Sequence, residues 1–492
     1  MNAVPTPITF GTTDAAEIRR MHRLFEMQRA AFDAAPYPEL AARKAKLRRL
    51  IDMLRRNQNE IVAAVNADFG VRAGAETKLV EVMGPILEAR HALSHMRKWM
   101  KPRRRSTELL FLTNSAWVEY QPKGVVGIIG TWNFPLYLTL GPLIAALAAG
   151  NRALIKTSEF SPRTTALLRS MLGACFAEDE VAIVGGAVEA AQAFNALPFN
   201  HLVFTGSPRV GREVMRAAAN NLTPVTLELG GKSPAIVGPD ADLREAALRI
   251  AHGKAFNAGQ ICVAPDYALV PSGKSAEFAA AVRDAFVKLY PAIRGNPEYT
   301  SIVTERHAAR LRQLLDDART KGATLLPCGD IVGAARQMAL TVVTGVNERM
   351  QLMQEEIFGP ILPVLEYDCL DDAMALVRRG DRPLSLYAFG LSRTEQRRVL
   401  RETHAGGVTL NDWGWHVFQH DLPFGGTGNS GMGTYHGDEG FRELSHAKSV
   451  FKRQRWFPIG LFYPPYGNLV QRLSMRFYLG KSPHEASNSV KG

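Results

Sequence analysis

The chain has 492 residues, more than one ordinary hydrophobic core supports, so two or three domains are expected. Its 46% hydrophobic and 22% charged residues are globular proportions and exclude a disordered or fibrous chain. The net charge is +12, and basic residues cluster in 43–56, 97–105 and 448–455; no nucleic-acid module surrounds these stretches, so they read as solvated faces and no nucleic-acid partner is expected.

The first twenty residues lack a basic start followed by an apolar run, so no leader is expected there. Residues 15–100 look helical, and Leu47, Leu50, Ile51 and Leu54 form one apolar stripe on a basic helix. From residue 125 short apolar runs (125–130, 153–156, 181–184, 202–205 and 225–229) alternate with helix-length segments (136–149, 162–176 and 209–219). Strands alternating with helices imply a parallel sheet with crossover helices, an α/β domain of the nucleotide-binding kind. The most apolar stretch, 134–149, is broken by Pro135, Thr139, Gly141 and Pro142. It is shorter than the roughly 20 residues a membrane span needs, so it reads as a buried helix and no transmembrane span is expected. A second α/β region runs from about Gly231 to Asn411, with a strand at 264–270 and a helix at 275–289.

Four clusters follow strands, where open α/β sheets bind ligands. Asn133, in GTWNFP, is either an amide donor for a developing oxyanion or a helix cap. Lys156 and Glu159, in LIKTSEFSP, either hold the ribose hydroxyls of a dinucleotide or form a surface ion pair. In FTGSPRVG, Gly206 and Gly211 allow a close backbone approach, and Ser207 opens a helix whose N-terminus suits a pyrophosphate. Glu228, in TLELGGKSP, is a base or merely an exposed turn carboxylate.

Cys262 follows in the polar turn FNAGQICVAPDY. The four cysteines, Cys175, Cys262, Cys328 and Cys369, have no paired spacing. That argues against a disulfide framework and a zinc site, and fits a reducing, cytoplasmic setting. GTGNSG at 426–431 matches a dinucleotide fingerprint but lacks a leading strand and a βαβ unit, so it reads as a loop. His416 and His420 have ligand-like spacing, but no Cys or acidic partner completes a metal site, so they read as pocket-lining or structural and no metal site is expected.

Taken in order, Asn133, Lys156, the 206–211 turn, Glu228, Cys262, EEIFGP at 355–360 and LPFGGTGNSGMG at 422–433 resemble the aldehyde dehydrogenase superfamily from about residue 20 to residue 453. The APDY after the cysteine and NSGMGTYHGDEGFRELSHAKSV at 429–450 are similar to its class 3-like branch. RWFPIGLFYPPYG at 455–467 looks like the tail of bacterial coniferyl-aldehyde-type members. Thr131 departs from the branch, whose members often carry Ala there.

The resemblance implies an aldehyde dehydrogenase fold. Residues 1–106 and 124–229 would form the N-terminal helices and NAD(P)-binding domain, and 230–439 the catalytic domain. A bridging, dimer-forming element would come from 107–123 and 440–453, with a tail at 454–492. It implies Cys262 as nucleophile, Asn133 in the oxyanion hole and Glu228 as general base. Lys156, Glu159, Gly206, Ser207, Gly211, Glu356 and Phe358 would hold NAD, with NADP possible. The loop 411–420 would shape the substrate pocket with Trp413, Trp415 and Phe418, and its lack of Lys or Arg suits an uncharged aromatic or long apolar aldehyde. Two other classes stay open: an acylating dehydrogenase that passes its thioester to coenzyme A, and a non-catalytic relative. The aromatic, cationic tail at 455–480 suits a membrane interface or packing on a neighbouring subunit, with packing favoured.

Overall fold

The computed structural model describes residues 14–329 and 336–480. The expectation of no leader, and the last part of the tail, fall partly on residues 1–13 and 481–492, outside the described residues. The chain divides into two compact units, Met1–Trp99 with Gln121–His446, and Met100–Tyr120 with Ala447–Gly492.

The larger unit is α/β, as expected, and holds two sheets. In the first, the order is Gly431–Met432, Val225–Leu229, His201–Gly206, Val125–Ile129, Arg152–Lys156 and Val181–Val184. All neighbours are parallel except the short Gly431–Met432 strand, which runs antiparallel to Val225–Leu229. Chain order reverses between Val125–Ile129 and His201–Gly206, so a crevice opens beyond the carboxyl ends of those two strands. These strands are buried on both faces, which is why they read as continuous apolar runs rather than alternating ones.

The second sheet runs Thr324–Pro327, Thr341–Thr344, Ile361–Tyr367, Tyr267–Pro271, Pro234–Val237, Ser385–Phe389 and Gly407–Leu410. Only its first strand is antiparallel.

The apolar stretch at 134–149 forms the helix Tyr137–Ala149, with every residue buried. The Glu81 carboxylate accepts from the Leu136 and Tyr137 N–H groups at 2.9 Å each, satisfying two donors that have no partner within the helix. At the other end the Arg43 guanidinium donates to the carbonyls of Ala148 (3.1 Å) and Ala149 (2.7 Å). Arg43 therefore departs from the reading of 43–56 as a solvated basic face. It is buried, because a cation that satisfies helix C-terminal carbonyls is stabilised by the helix dipole. Burial still lowers its pKa to about 10. The apolar stripe of the same helix, Leu47, Leu50, Ile51 and Leu54, is buried as expected.

The smaller unit is built on a three-stranded sheet in the order Arg103–Arg105, Ser115–Pro122 and Ser445–Lys452. It continues into a short helix, Leu469–Leu479, whose N-cap Asn468 accepts from the Gln471 N–H at 2.9 Å.

Candidate active site

Cys262 lies between the helix Leu243–Ala255 and the strand Tyr267–Pro271, in a loop with an unusual backbone. Asn257 and Ala258 take positive φ values of 48° and 51°, conformations that cost energy in residues with a Cβ. Buried polar groups hold the loop in place. The Glu76 carboxylate accepts from the Asn257 N–H at 3.1 Å, and the Gln260 amide donates to the Asn257 and Ser301 carbonyls. Gln260 Oε1 accepts from the Val303 N–H at 2.9 Å.

Asn133 meets this loop from the other sheet. Its Nδ2 donates to the Gln260 carbonyl at 3.1 Å, and its own carbonyl accepts from Arg72 (2.9 Å) and Asn257 Nδ2 (3.2 Å). Its side-chain oxygen has no partner, and the amide retains a second N–H beyond the one given to Gln260. Arg72 is buried between the Phe69 and Phe134 rings and close to Glu76 and Glu81, so it braces Asn133 from behind. Nothing near Arg72 in sequence marks it for this; Gln260, inside the cysteine motif, was within reach of sequence reasoning.

Glu228 stands next to last on the strand Val225–Leu229, in register with Thr205 on one side and Gly431 on the other. It is buried, and neither carboxylate oxygen has a hydrogen bond. Burial raises its pKa to about 7, while the nearby Cys262 thiol and Thr205 hydroxyl offset only part of that effect. Burial and the carboxylates of Glu228 and Glu356 push the Cys262 thiol well above its usual range. In this state the cysteine is a thiol, and the group beside it that loses a proton first is Glu228. Tyr435, which sequence reasoning missed, is buried nearby, its phenol raised by burial with Glu228 and Cys262 contributing.

The remaining candidates gather at other strand ends. Lys156 ends the strand Arg152–Lys156, is buried, and donates to the Thr157 carbonyl at 2.8 Å. Burial lowers its pKa, with Glu159 acting the other way. Glu159 lines a cleft of about 270 Å³ with Thr157, Ser158, Thr165 and the backbone of Gly185 and Gly186. Ser207 caps the helix Pro208–Ala219, its hydroxyl accepting from the Val210 N–H at 3.4 Å.

The two glycines of that turn have packing reasons of their own. A Cβ on Gly206 would lie 2.6 Å from the Phe204 ring, and one on Gly211 2.8 Å from Leu229. Gly211 thus lets the helix approach the strand that carries Glu228, a role the expectation of close ligand approach did not include.

Glu356 lies against Gly230, where a Cβ would meet its carboxylate at 2.0 Å. One of its oxygens has no partner, and burial raises its pKa to about 8. Arg310 holds the segment by donating to the carbonyls of Glu356 (2.5 Å) and Ile357 (2.9 Å). Lys232, paired with Asp266, also donates to the carbonyls of Leu352 and Glu355. Phe358 has a positive φ of 51°, and its ring meets Trp132 edge-on at 5.4 Å.

The aromatic loop divides. Trp413 is buried, its indole N–H on His252 Nδ1 at 3.0 Å and its ring where a Gly253 Cβ would sit. Packing accounts for Trp413. Trp415 is 60% exposed and donates to Asp412, and Phe418 is partly buried at 6.1 Å from the Trp415 ring.

His416 bonds Ser385 and Thr409, a structural histidine. His420 gathers an acidic and a histidine partner from distant segments, against the reading that no acidic partner completes its set. Glu88 and His436, distant in sequence, bring their ligating atoms within 4.8 Å of it. Burial raises Glu88 to about 8 and lowers His420 and His436 to about 4 and 3, so all three are neutral at pH 7.

A thiol from the loop before Tyr267–Pro271 meets an amide and a buried carboxylate from the carboxyl ends of strands in the other sheet, and the arrangement defines an α/β enzyme. Residues 4–450 match the aldehyde dehydrogenase family, and the chain belongs to that family, whose members oxidise aldehydes. It is 50% identical over 463 residues to the "Probable coniferyl aldehyde dehydrogenase" of Pseudomonas aeruginosa, covering 94% of this chain and 97% of that one. The substrate-bound state of Staphylococcus aureus AldH superposes with a TM-score of 0.88 at 34% identity, covering 93% of this chain and 99% of that one. The Mycobacterium tuberculosis aldehyde dehydrogenase complexed with NAD+ does so with 0.81 at 28% identity, covering 90% and 92%.

Proposed function

We propose that this enzyme oxidises an uncharged aromatic aldehyde of the coniferyl type to its carboxylic acid with NAD, through a thioester on Cys262. The observation that carries the reading is the approach of Asn133, Glu228 and Cys262 from three separated segments to one place. A cofactor fits the residues present. The cleft beside Glu159, the unpartnered hydroxyl of Thr157 and the unpartnered oxygen of Glu356 offer polar groups to a ligand. Lys156 and Glu159 would hold the adenosine ribose, Ser207 the pyrophosphate, and Glu356 and Phe358 the nicotinamide end. Bound NAD supplies the acceptor for the aldehyde hydride.

The chain's own residues do the rest. Glu228 takes the thiol proton, and the Cys262 sulfur adds to the carbonyl carbon. The second Asn133 N–H and the Cys262 main-chain N–H receive the oxyanion, one such donor being worth about 3 kcal/mol. Once the thioester has formed and Glu228 has released the thiol proton to solvent, the carboxylate removes a proton from water, the water oxygen adds to the acyl carbon, and the Cys262 sulfur leaves as a thiolate. Residues 1–106 with 124–229 would serve the cofactor and 230–439 the chemistry, while 107–123 and 440–453 would join two subunits in a cytoplasmic homodimer.

The test is a panel of coniferyl-type, long-chain aliphatic and semialdehyde substrates, each run with NAD and with NADP. The reading expects the highest kcat/KM on an aromatic aldehyde with NAD. A much higher efficiency on succinate semialdehyde would overturn it.

A further inference from the structure

The smaller unit carries a chemistry that aldehyde oxidation does not use. Its two segments, Met100–Tyr120 and Ala447–Gly492, contain twelve Lys and Arg against three Asp and Glu, a net charge of +9 out of the whole chain's +12. No acidic residue stands between Glu443 and Glu485. In the same unit, twelve large apolar or aromatic side chains between residues 451 and 479 are exposed, among them Trp456 at 85%, Phe477 at 72% and Leu479 at 78%. Exposed apolar surface at this density marks an interaction site.

On the helix Leu469–Leu479, Leu469, Leu473 and Phe477 recur every four residues. Arg472 and Arg476 form a parallel row beside them, all five exposed. At 1.5 Å per residue the eleven-residue helix is about 16 Å long, half of a bilayer's hydrocarbon core. Among the described residues no helix is long and apolar enough to cross a membrane.

We propose that this helix, with the aromatic segment before it and the cations Arg455, Arg472 and Arg476, lies in the surface of an anionic phospholipid bilayer. The charge selects the occupant. A second copy set row to row against Leu469, Leu473 and Phe477 would bring Arg472 and Arg476 up to their own counterparts, which disfavours a self-complementary contact through this helix, whatever the 107–123 and 440–453 strands join. A nucleic acid would match the charge but leave the Leu469–Leu473–Phe477 row in water. A bilayer with anionic headgroups takes both, the cations at the phosphates and the apolar row below them.

The full-length protein is floated with vesicles of phosphatidylcholine alone or with about 30% phosphatidylglycerol, at about 0.1 M and about 1 M salt. Binding to the anionic vesicles at low salt, and at least tenfold weaker binding in the other conditions, is expected. Arg472→Gln with Arg476→Gln, and separately Leu473→Ser with Phe477→Ser, should each weaken anionic-vesicle binding about tenfold or more, with aldehyde oxidation in solution unchanged. Absence of vesicle binding overturns the proposal. So does binding that ignores the Leu473→Ser, Phe477→Ser pair, the behaviour of a purely electrostatic, nucleic-acid-like surface. If that same pair instead lowers the oligomeric state in lipid-free sedimentation, a second copy covers the face and the proposal fails.

Discussion

The side-chain amide of Asn133 donates to the main-chain carbonyl of Gln260 at 3.1 Å, two residues before Cys262. One bond thus joins the strand-end loop of the first sheet to the nucleophile loop of the second and spends only one of the two amide hydrogens. Asn133→Ala is expected to lower kcat by about 10²–10³, the cost of one lost oxyanion donor, with a smaller change in KM. Steady-state kinetics checks this. A kcat within a factor of three of wild type would reduce Asn133 to a loop brace.

Cys262 and Glu228 should separate in pre-steady-state kinetics. Cys262→Ala is expected to give no NADH even in the first turnover. Glu228→Gln cannot accept the water proton, so a burst of NADH near one per active site should precede a very slow steady state. Because Glu228 also stands to take the thiol proton, the burst should be slower than in wild type at unchanged amplitude. Wild-type turnover by Glu228→Gln would make this carboxylate structural.

The pH profile follows from the same burial. With the Glu228 pKa raised to about 7, the base is protonated and idle below that value. Thioester hydrolysis should therefore rise with pH through about 7 and level off above it. Rapid mixing across pH, with the acyl step separated from hydrolysis, reads this directly. A flat hydrolysis rate from pH 5 to pH 9 would contradict the assignment.

Cofactor choice should respond to Glu159, which is exposed at the lip of the cleft beside Thr157 and Ser158. A carboxylate there repels a 2′-phosphate. Glu159→Gln is expected to raise the NADP-to-NAD ratio of kcat/KM about two- to fivefold, the order expected of one exposed charge pair. An unchanged ratio removes Glu159 from cofactor selection.

Glu88 makes a prediction about stability. Burial alone raises its pKa from 4.5 to about 8, and the neighbouring His420 and His436, held at about 4 and 3, stay uncharged over that range. A folded-state pKa above the unfolded one gives stability that is fully present below about 4.5 and lost as pH rises through about 8. Glu88→Gln should match wild type near pH 5 and be more stable near pH 9, by a few kcal/mol at most. Denaturant titrations at the two pH values test it. Equal stability differences at both would show that Glu88 is not the titrating group.

The aldehyde dehydrogenase order of Asn133, Lys156, Glu228 and Cys262 is a property of the sequence itself. The strands and helices from 125 to 229 are legible too, because a parallel strand buried on both faces must be apolar throughout and its crossover helix must be long enough to return. The helix Ser275–Leu289 is legible for a related reason, its amphipathic period running unbroken between turn residues.

What surrounds those residues was decided only by the tertiary structure. The brace of Arg72 on Asn133, the packing of Gly211 on Leu229 and the gathering of Glu88 with His420 and His436 all join positions far apart in the chain. Hydrophobic period and local turn chemistry report neighbours within a few residues, so such contacts leave no signature in them. The same holds for the ionisation of the site. A carboxyl residue in a sequence carries only its ordinary pKa, and the value near 7 of Glu228 arises because folding removes water from it, while the Cys262 thiol and Thr205 hydroxyl offset only part of the loss.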